Sequence, residues 1–414
     1  MKKSNWYLLG FFAVFLFFLF PLDTATAMTA GSAASEAAAA SCRAAAVYAQ
    51  AVDLDMDDAA GYYRRGLAYF LEGEYDRAVA ECSRAISLAP DDVSAYRVRG
   101  LAYFYKGEDG QAVADFPQAI ADYDRAIADF SQAISLAPDD AVTYYDRGLV
   151  YFYKGDYGQA IAGFSQAIAD YDRAIADFSQ AFSLNPDDAS AYYNRGLVYS
   201  RTGNHGRAAA DFSQAIRLDP DDAYTYYNRG LAYSRTGDYD RAIADFSQAA
   251  SLNPGYLGYY TNRGAAYAAN GDYDQAIADF SQAIELDPYY ASSYYSRGGA
   301  YAANGDYDRA IADFSQAIRF NPEYAGYYTG RGGAYAANGD YDQAIADYTQ
   351  VISLDPGNAA AYFNRGWVYA EKGDYDRAIA DYEAALRIDP DHTGARDNLE
   401  RAEGRRGIII EGGK

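Results

Sequence analysis

The sequence predicts an all-α protein, a right-handed α-solenoid of antiparallel helix pairs. The first observation is a fixed period, because proline recurs every 34 residues at Pro186, Pro220, Pro254, Pro288, Pro322, Pro356 and Pro390. Such a period is typical of solenoids, in which each repeat is one supersecondary unit. The second observation is that Gly-Asp and Asn-Pro or Asp-Pro, which are signals for helix ends, recur in the periods. Apolar residues at helical spacing lie between these signals.

Residues 1–27 have the order of a signal peptide: two lysines, an apolar run from Trp6 to Leu22, and Ala25-Thr26-Ala27 as a cleavage site. We expect cleavage before Met28 and a periplasmic or secreted protein. The alternative is an uncleaved membrane anchor with the repeats outside the cytoplasm, because the run reaches the lower limit of about 17 residues for a membrane span.

Residues 28–58 read as a linker and a degenerate half-repeat, in which Met56 stands where proline is expected. Two cysteines, Cys42 and Cys82, lie here and in the first full repeat, and an oxidising compartment would allow them to form a disulfide. The alternative is that both act as small apolar side chains, since both fall on predicted buried helix faces.

Residues 59–390 form nine repeats, each predicted to contain a first helix, helix A, and a second helix, helix B. The repeats begin at Ala59, Val93, Ala141, Ala189, Ala223, Leu257, Ala291, Ala325 and Ala359. In the fifth repeat Gly237 suits the position after helix A, and Asp238 suits the N-cap of helix B.

Within a repeat, tyrosine occupies the fourth and eleventh places, glycine the eighth and alanine the twentieth, as in Tyr226, Tyr233, Gly230 and Ala242. This pattern, with its proline, resembles the tetratricopeptide repeat family over all nine repeats. The resemblance implies a superhelix whose A helices line a concave groove through their second, fifth, sixth, ninth, twelfth and thirteenth places. It also implies that the groove holds another molecule.

Repeats two and three are longer, because Pro90, Pro138 and Pro186 are separated by 48 residues. The excess of 14 residues is a duplicated segment that we place inside helix B, where it would add about 21 Å and rotate the apolar face by about 40°. Pro117 is expected to kink the first long helix, and Gly163 to weaken the second. After the repeats, residues 391–404 read as a capping helix and residues 405–414 as a mobile tail.

The composition argues against several classes of function. The net charge is −23, and removal of a leader with two lysines and one aspartate leaves −24, so a nucleic-acid partner would be repelled. The two histidines, His205 and His392, lack metal-ligand spacing, and the abundant aspartates stand at helix starts, where capping explains them. We expect no metal, no cofactor and no enzymatic activity.

The seventh place of every repeat is arginine. This regularity is compatible with a partner contact, but an ion pair between repeats explains it better. We expect each arginine to meet a repeated aspartate, such as Asp245 or Asp279, of a neighbouring repeat.

The candidate partner-binding residues are aromatic or asparagine side chains at inferred groove places. They are Tyr63, Phe70, Phe104, Tyr105, Tyr145, Phe152, Tyr153, Asn194, Asn228, Asn262 and Asn364. The asparagines stand at the sixth place, where the resemblance implies hydrogen bonds to an extended peptide. The aromatics either anchor a partner or pack between neighbouring helices. Repeats six to eight carry only alanine at the twelfth and thirteenth places.

These features predict a non-catalytic scaffold that binds an extended polypeptide in its groove, within an envelope assembly. Membrane association is expected only through an uncleaved leader. The alternative is a glycan-binding scaffold in polysaccharide export or envelope biogenesis. In that case sugar rings would stack on Tyr63, Tyr145, Tyr193, Tyr227, Tyr295 and Phe363.

Overall fold

The structure, a computed structural model, describes residues 57–108, 116–162 and 164–412, and it describes only the backbone of residues 116, 159–162, 164–166 and 407–412. The predicted leader, almost all of the half-repeat, and Cys42 lie outside the described residues. The chain forms two compact units, Met1–Asp219 and Pro220–Lys414. We call them the N-terminal body and the C-terminal body and describe each by itself.

The N-terminal body contains the helix pairs of repeats one to four. Its helices are α1 (Ala59–Leu71), α2 (Tyr75–Leu88), α3 (Val93–Glu108), α4 (Phe116–Leu136), α5 (Ala141–Ala162), α6 (Phe164–Leu184), α7 (Ala189–Arg201) and α8 (His205–Leu218). In each pair the first is helix A and the second is helix B.

The C-terminal body contains repeats five to nine and a final helix. Its helices are α9 (Ala223–Arg235), α10 (Tyr239–Leu252), α11 (Leu257–Ala269), α12 (Tyr273–Leu286), α13 (Ala291–Ala303), α14 (Tyr307–Phe320), α15 (Ala325–Asn338), α16 (Tyr341–Leu354), α17 (Ala359–Glu371), α18 (Tyr375–Ile388) and α19 (Thr393–Gly412). No strand occurs in the described ranges. The all-α solenoid of consecutive helix pairs is therefore confirmed, and the nine A helices begin at the nine residues from which the sequence counts its repeats.

Local signals explain the turn between the two helices of an ordinary repeat. Gly237 has a φ of 79°, a left-handed conformation that glycine adopts without strain. Asp238 then caps helix α10, because its carboxylate accepts a hydrogen bond from the backbone N–H of Arg241 at 3.2 Å. Helix A therefore ends and helix B begins where the Gly-Asp signal predicts.

Helices A and B of one repeat approach closely at the eighth place. A Cβ atom on Gly230 would lie 2.7 Å from Cε1 of Phe246, a ring that is fully buried in helix B. Only glycine lets the two helices approach this closely. Ala242 and Ala249 are fully buried on the same helix B and complete a core made of small and aromatic side chains.

The seventh-place arginine links the two helices of its own repeat and also contacts the preceding repeat. Arg263 donates to both carboxylate oxygens of Asp279, at 2.7 and 2.6 Å, and Asp279 lies in helix B of the same repeat. Its third nitrogen donates to Ser247 Oγ of the preceding helix B at 3.0 Å. The prediction of an ion pair between repeats is thus wrong, since sixteen residues of helical hairpin place the two charges face to face within one repeat. The contact that this arginine makes between repeats is its hydrogen bond to the serine.

The insertions of repeats two and three lengthen both helices of each hairpin, so the prediction that they lie inside helix B alone is wrong. Helix α5 has 22 residues and α6 has 21, against 13 and 14 in an ordinary repeat. The reason is a second packing site two turns along each helix. A Cβ on Gly148 would lie 2.9 Å from Cε1 of Phe178, and a Cβ on Gly155 would lie 2.7 Å from Cε1 of Tyr171.

Seven residues are almost two full turns, so the second site falls on the same face as the first. Gly155 stands where an ordinary repeat has its turn glycine, but here it packs against a ring inside the hairpin. Gly107 and Tyr123 make the equivalent contact in repeat two. Pro117 is the second described residue of α4, and residues 109–115 before it lie outside the described residues, so the kink expected there stays a prediction. Gly163 lies outside the described residues.

Helix α19 follows the last repeat and covers it. His392 Nδ1 accepts a hydrogen bond from the backbone N–H of Ala395 at 3.1 Å, and its ring lies 4.8 Å from that of Phe363. The predicted capping helix of residues 391–404 is present but begins at Thr393. It continues to Gly412, so the described part of the predicted mobile tail, residues 405–412, is helical.

Candidate partner-binding face of the A helices

Three of the predicted aromatic anchors are core residues. Phe70, Phe104 and Phe152 are only 3%, 5% and 7% exposed. Phe104 contacts the rings of Tyr105 and Tyr153 at 5.1 and 5.3 Å. The prediction that these three rings anchor a partner is corrected accordingly. They fill the space between neighbouring helices, which is the packing role that the sequence left open.

The predicted tyrosines of the N-terminal body are partly accessible. Tyr63, Tyr105, Tyr145 and Tyr153 are all half-buried. Burial raises the pKa of Tyr105 and Tyr145 far above the ordinary value, so both phenols keep their protons and act as hydrogen-bond donors or acceptors. The four tyrosines are thus partly accessible, while the three phenylalanines are buried.

Two predicted asparagines share one geometry. Asn194 Nδ2 donates to the Tyr145 hydroxyl at 3.0 Å and to the Ser190 carbonyl at 2.9 Å. Asn262 Nδ2 donates in the same way to the Tyr227 hydroxyl at 3.1 Å and to the Gly258 carbonyl at 2.8 Å. Both amide hydrogens are therefore used, and the amide oxygen is left to accept a hydrogen bond from outside.

The other two asparagines occupy the same place of their A helices. Asn228 Nδ2 donates to the Tyr224 carbonyl at 2.9 Å, and its side chain is half-buried. Asn364 is also half-buried, in the last repeat. The structure thus brings Asn194, Asn228 and Asn262 next to tyrosines or main chain of their own bodies.

Two clusters of tyrosines in the C-terminal body contain Tyr227 and Tyr295, which the sequence indicates for sugar stacking, and five tyrosines that the sequence analysis missed. Cluster one consists of Tyr224, Tyr227, Tyr256 and Tyr259, with ring centroids of neighbouring pairs 4.9–6.5 Å apart. Cluster two consists of Tyr295, Tyr324 and Tyr327, with centroids 4.6–6.5 Å apart. The signal for both was available, since Tyr256 and Tyr324 replace the aspartate that precedes helix A elsewhere.

Among the described residues, no group of three or more metal-binding side chains comes together, and no helix has the length and apolarity needed to cross a membrane. The seventh-place arginines are engaged with carboxylates in every repeat, from the pair of Arg65 with Glu81 to the pair of Arg365 with Asp381. The nine seventh-place guanidinium groups are therefore paired with carboxylates inside the protein.

Sequence models described as tetratricopeptide repeat match residues 145–223 and 329–393, and also residues 59–92, 223–256, 259–290 and 291–324. A model described as TPR repeat matches residues 121–155. The chain belongs to the tetratricopeptide repeat family. Tetratricopeptide scaffolds typically mediate protein–protein interaction and are generally non-catalytic. No curated protein sequence matches the chain.

Several solved structures are similar to the chain. YrrB, a TPR protein with an unusual peptide-binding site, is 26% identical over 46% of this chain and 99% of its own, with a TM-score of 0.40. MamA is 30% identical over 39% of this chain and 94% of its own, with a TM-score of 0.37. The C-terminal part of a TPR repeat-containing protein from Cytophaga hutchinsonii is 21% identical over 60% of this chain and 99% of its own, with a TM-score of 0.49.

Proposed function

We propose that this tetratricopeptide protein is a non-catalytic scaffold that binds an extended polypeptide along the face of its A helices. The observation that carries the proposal is the shared geometry of Asn194 and Asn262. In both, a tyrosine hydroxyl and a main-chain carbonyl fix the amide nitrogen. The amide oxygen is thereby oriented to accept a hydrogen bond from a peptide N–H, and little conformational entropy remains to be lost on binding.

An extended peptide suits this arrangement because its backbone offers N–H groups at regular intervals. Asn228 and Asn262 stand 34 residues apart in the C-terminal body, at the same place of successive A helices. Half-buried tyrosines beside the asparagines would cover the peptide side chains, and aromatic side chains are enriched at protein interfaces. The seventh-place arginines are already paired with carboxylates, which argues against their use in binding a phosphate-rich or other anionic ligand.

The experiment is selection from a display library of unstructured peptides of about ten residues on the immobilised full chain, followed by titration of the selected peptides. We expect Asn194→Ala and Asn262→Ala each to weaken binding by about fivefold, since one net hydrogen bond is lost. The matched control is Asn270→Ala, because Asn270 bonds to exposed Asp240 at 2.9 Å and lies outside the A-helix groove places. If soluble glycans bind in parallel titrations and no peptide does, the glycan alternative replaces this proposal.

We also propose that the protein acts on the export side of a membrane, within an envelope assembly. The support is the order of charged, apolar and small residues in positions 1–27. The measurement is the N-terminal sequence of the protein isolated from its native cell. A sequence that begins at Met28 supports export with cleavage, whereas an intact leader in the membrane fraction supports the anchored alternative.

A further inference from the structure

Three adjacent repeats lack the aspartate or asparagine that caps helix A elsewhere. Asp188 accepts hydrogen bonds from the backbone N–H groups of Ser190 and Ala191, and the residue before helix A caps it similarly in repeats one to five and nine. In repeats six, seven and eight this place holds Tyr256, Tyr290 and Tyr324, and none of them makes a side-chain cap. A lost cap typically costs about 1 kcal/mol. A stabilising residue has thus been replaced three times by an exposed ring.

The rings of Tyr256 and Tyr324 are each held in place by packing against a glycine. Each folds back over a glycine, and a Cβ on Gly258 or Gly326 would collide with the ring. Beneath them Tyr259 and Tyr327 are buried, whereas Tyr256 and Tyr324 are 39% and 51% exposed. Each cluster therefore has a buried ring as its base and an exposed ring with a fixed orientation above it.

The two clusters repeat with a period of two repeats. Residues 256–262 read YLGYYTN, and residues 324–330 read YAGYYTG. Repeat seven between them has Tyr290 at the capping place, but Ser292 and Ser293 follow it, and within the described residues Tyr290 makes no ring contact with either cluster. Two equivalent binding positions on one body suit a ligand whose own chemistry repeats, because each contact raises the effective concentration for the next.

The polar groups of cluster one indicate the chemistry of that ligand. Asn262 and Thr261 donate inward, to the Tyr227 hydroxyl and to the Gly258 carbonyl. Burial and the neighbouring Tyr256 raise the pKa of Tyr227, so this phenol keeps its proton. Gly330 in cluster two stands at the place that Asn262 holds beside cluster one, so the groups that both clusters offer a ligand are flat rings and phenolic hydroxyls. A proline-rich segment matches them, since its backbone offers carbonyl acceptors without N–H donors. Sugar rings, by contrast, need paired donors and acceptors for adjacent hydroxyl groups.

We propose that clusters one and two bind a proline-rich polypeptide in the polyproline II conformation, with proline rings against Tyr256 and Tyr324. Aromatic grooves elsewhere recognise such segments because the polyproline II helix is formed before binding. This inference rests on the proposed function and specifies its ligand class.

The test titrates the full chain with a fluorescent oligoproline of about ten residues and with a proline-free Gly-Ser peptide of the same length. We expect the oligoproline to bind more tightly. Tyr256→Asp and Tyr324→Asp should each weaken its binding by about fivefold, as expected for one aromatic contact. Each variant should keep or raise the melting temperature, because aspartate restores the helix cap. Tyr290→Asp is the matched control, since it restores a cap without altering either cluster.

The outcomes separate this inference from the proposed function. Equal binding of both peptides, or oligoproline binding that Tyr256→Asp and Tyr324→Asp leave unchanged, would overturn the proline assignment while library-selected peptides still bind. Binding of a neutral soluble glycan that both aspartate variants abolish would assign the clusters to saccharides and overturn it too. Failure of every peptide, including those of the library, would overturn the proposed function as well.

Discussion

Two regions of the chain are rich in aromatic side chains and expose them to different degrees. In the long hairpins of repeats two and three, Tyr123 and Tyr171 are completely buried against Gly107 and Gly155. In repeats six and eight, Tyr256 and Tyr324 lie over glycines as well, but a large part of each ring faces solvent. The same pairing of glycine and tyrosine therefore builds a core in one body and a surface in the other.

The two regions differ in the local structural feature that each has lost. The long hairpins keep the glycine but lose the turn at that place, and they gain a second layer of helix packing. The exposed clusters lose helix caps and gain no comparable burial. A region that loses local stability without improving its packing is a better candidate for binding than one that is merely rich in aromatic residues. Four sets of substitutions test this distinction.

Phe104→Ala should have the largest effect. Phe104 is buried among Tyr105, Tyr123 and Tyr153, so its removal leaves a cavity. We expect a loss of about 3–5 kcal/mol in the free energy of unfolding. The measurement is denaturant unfolding followed by circular dichroism, and the control is Tyr289→Ala in the C-terminal body, where the side chain is 77% exposed. An unchanged unfolding midpoint for Phe104→Ala, together with lost partner binding, would restore the anchor role.

Arg147→Gln and Arg263→Gln test whether the pair of arginine and aspartate stabilises the two bodies to the same extent. Each arginine makes two hydrogen bonds to an almost completely buried aspartate, so its loss leaves that carboxylate without its partner. We expect each substitution to cost about 3 kcal/mol.

The control for the arginine variants is Arg241→Gln. Arg241 pairs with Asp238 at an exposed turn, where little change is expected. Amide hydrogen exchange in each body separates the local effects. A cost confined to one body would mean that the bodies differ in more than their aromatic residues.

The repeat boundaries could be predicted from the sequence, while the placement of the insertions could not. Proline, the turn glycine and the capping aspartate are local signals, and the fixed period locates helix A even in repeats six to eight, where the capping aspartate is absent. The fourteen-residue insertions preserve the helical phase wherever they are placed. Whether they lengthen one helix or two depends on Gly155 meeting Tyr171 across the hairpin, which is a tertiary contact.

The candidate site, too, could be predicted from the sequence only in part. The asparagines at the sixth place could be predicted because the period fixes their register. The burial of Phe70, Phe104 and Phe152 could not, since it depends on the neighbouring helices. Tyr256 and Tyr324 could have been found from their replacement of a capping aspartate.

Gly155→Ala tests the long hairpin directly. The added Cβ would lie 2.7–2.8 Å from two ring atoms of Tyr171, so the helices must separate or the ring must move. We expect a loss of about 1–3 kcal/mol, as for other overpacked cores. Gly299→Ala is the matched control, because Gly299 is also inside a helix but has no neighbouring atom within 4 Å. That control should gain about 0.5–1 kcal/mol. Equal thermal shifts for the two variants would contradict the packing role of Gly155.

Tyr348→Phe combined with Tyr382→Phe should have the smallest effect at neutral pH. Both residues occupy the place that holds Phe246, Phe280 or Phe314 in other repeats, so the ring packing is kept and the change should stay below about 1 kcal/mol.

The same pair should matter at alkaline pH. Burial raises the pKa of Tyr348 and of Tyr382 to about 12, from about 10 in the unfolded chain. A raised folded-state pKa means that the folded protein holds the phenolic proton more tightly. Its contribution to stability is therefore complete below about pH 10 and is lost as the pH rises toward about 12. Denaturant midpoints measured across this range should fall less steeply in the double variant than in the native chain, and parallel curves would show that these two hydroxyls do not titrate with unfolding.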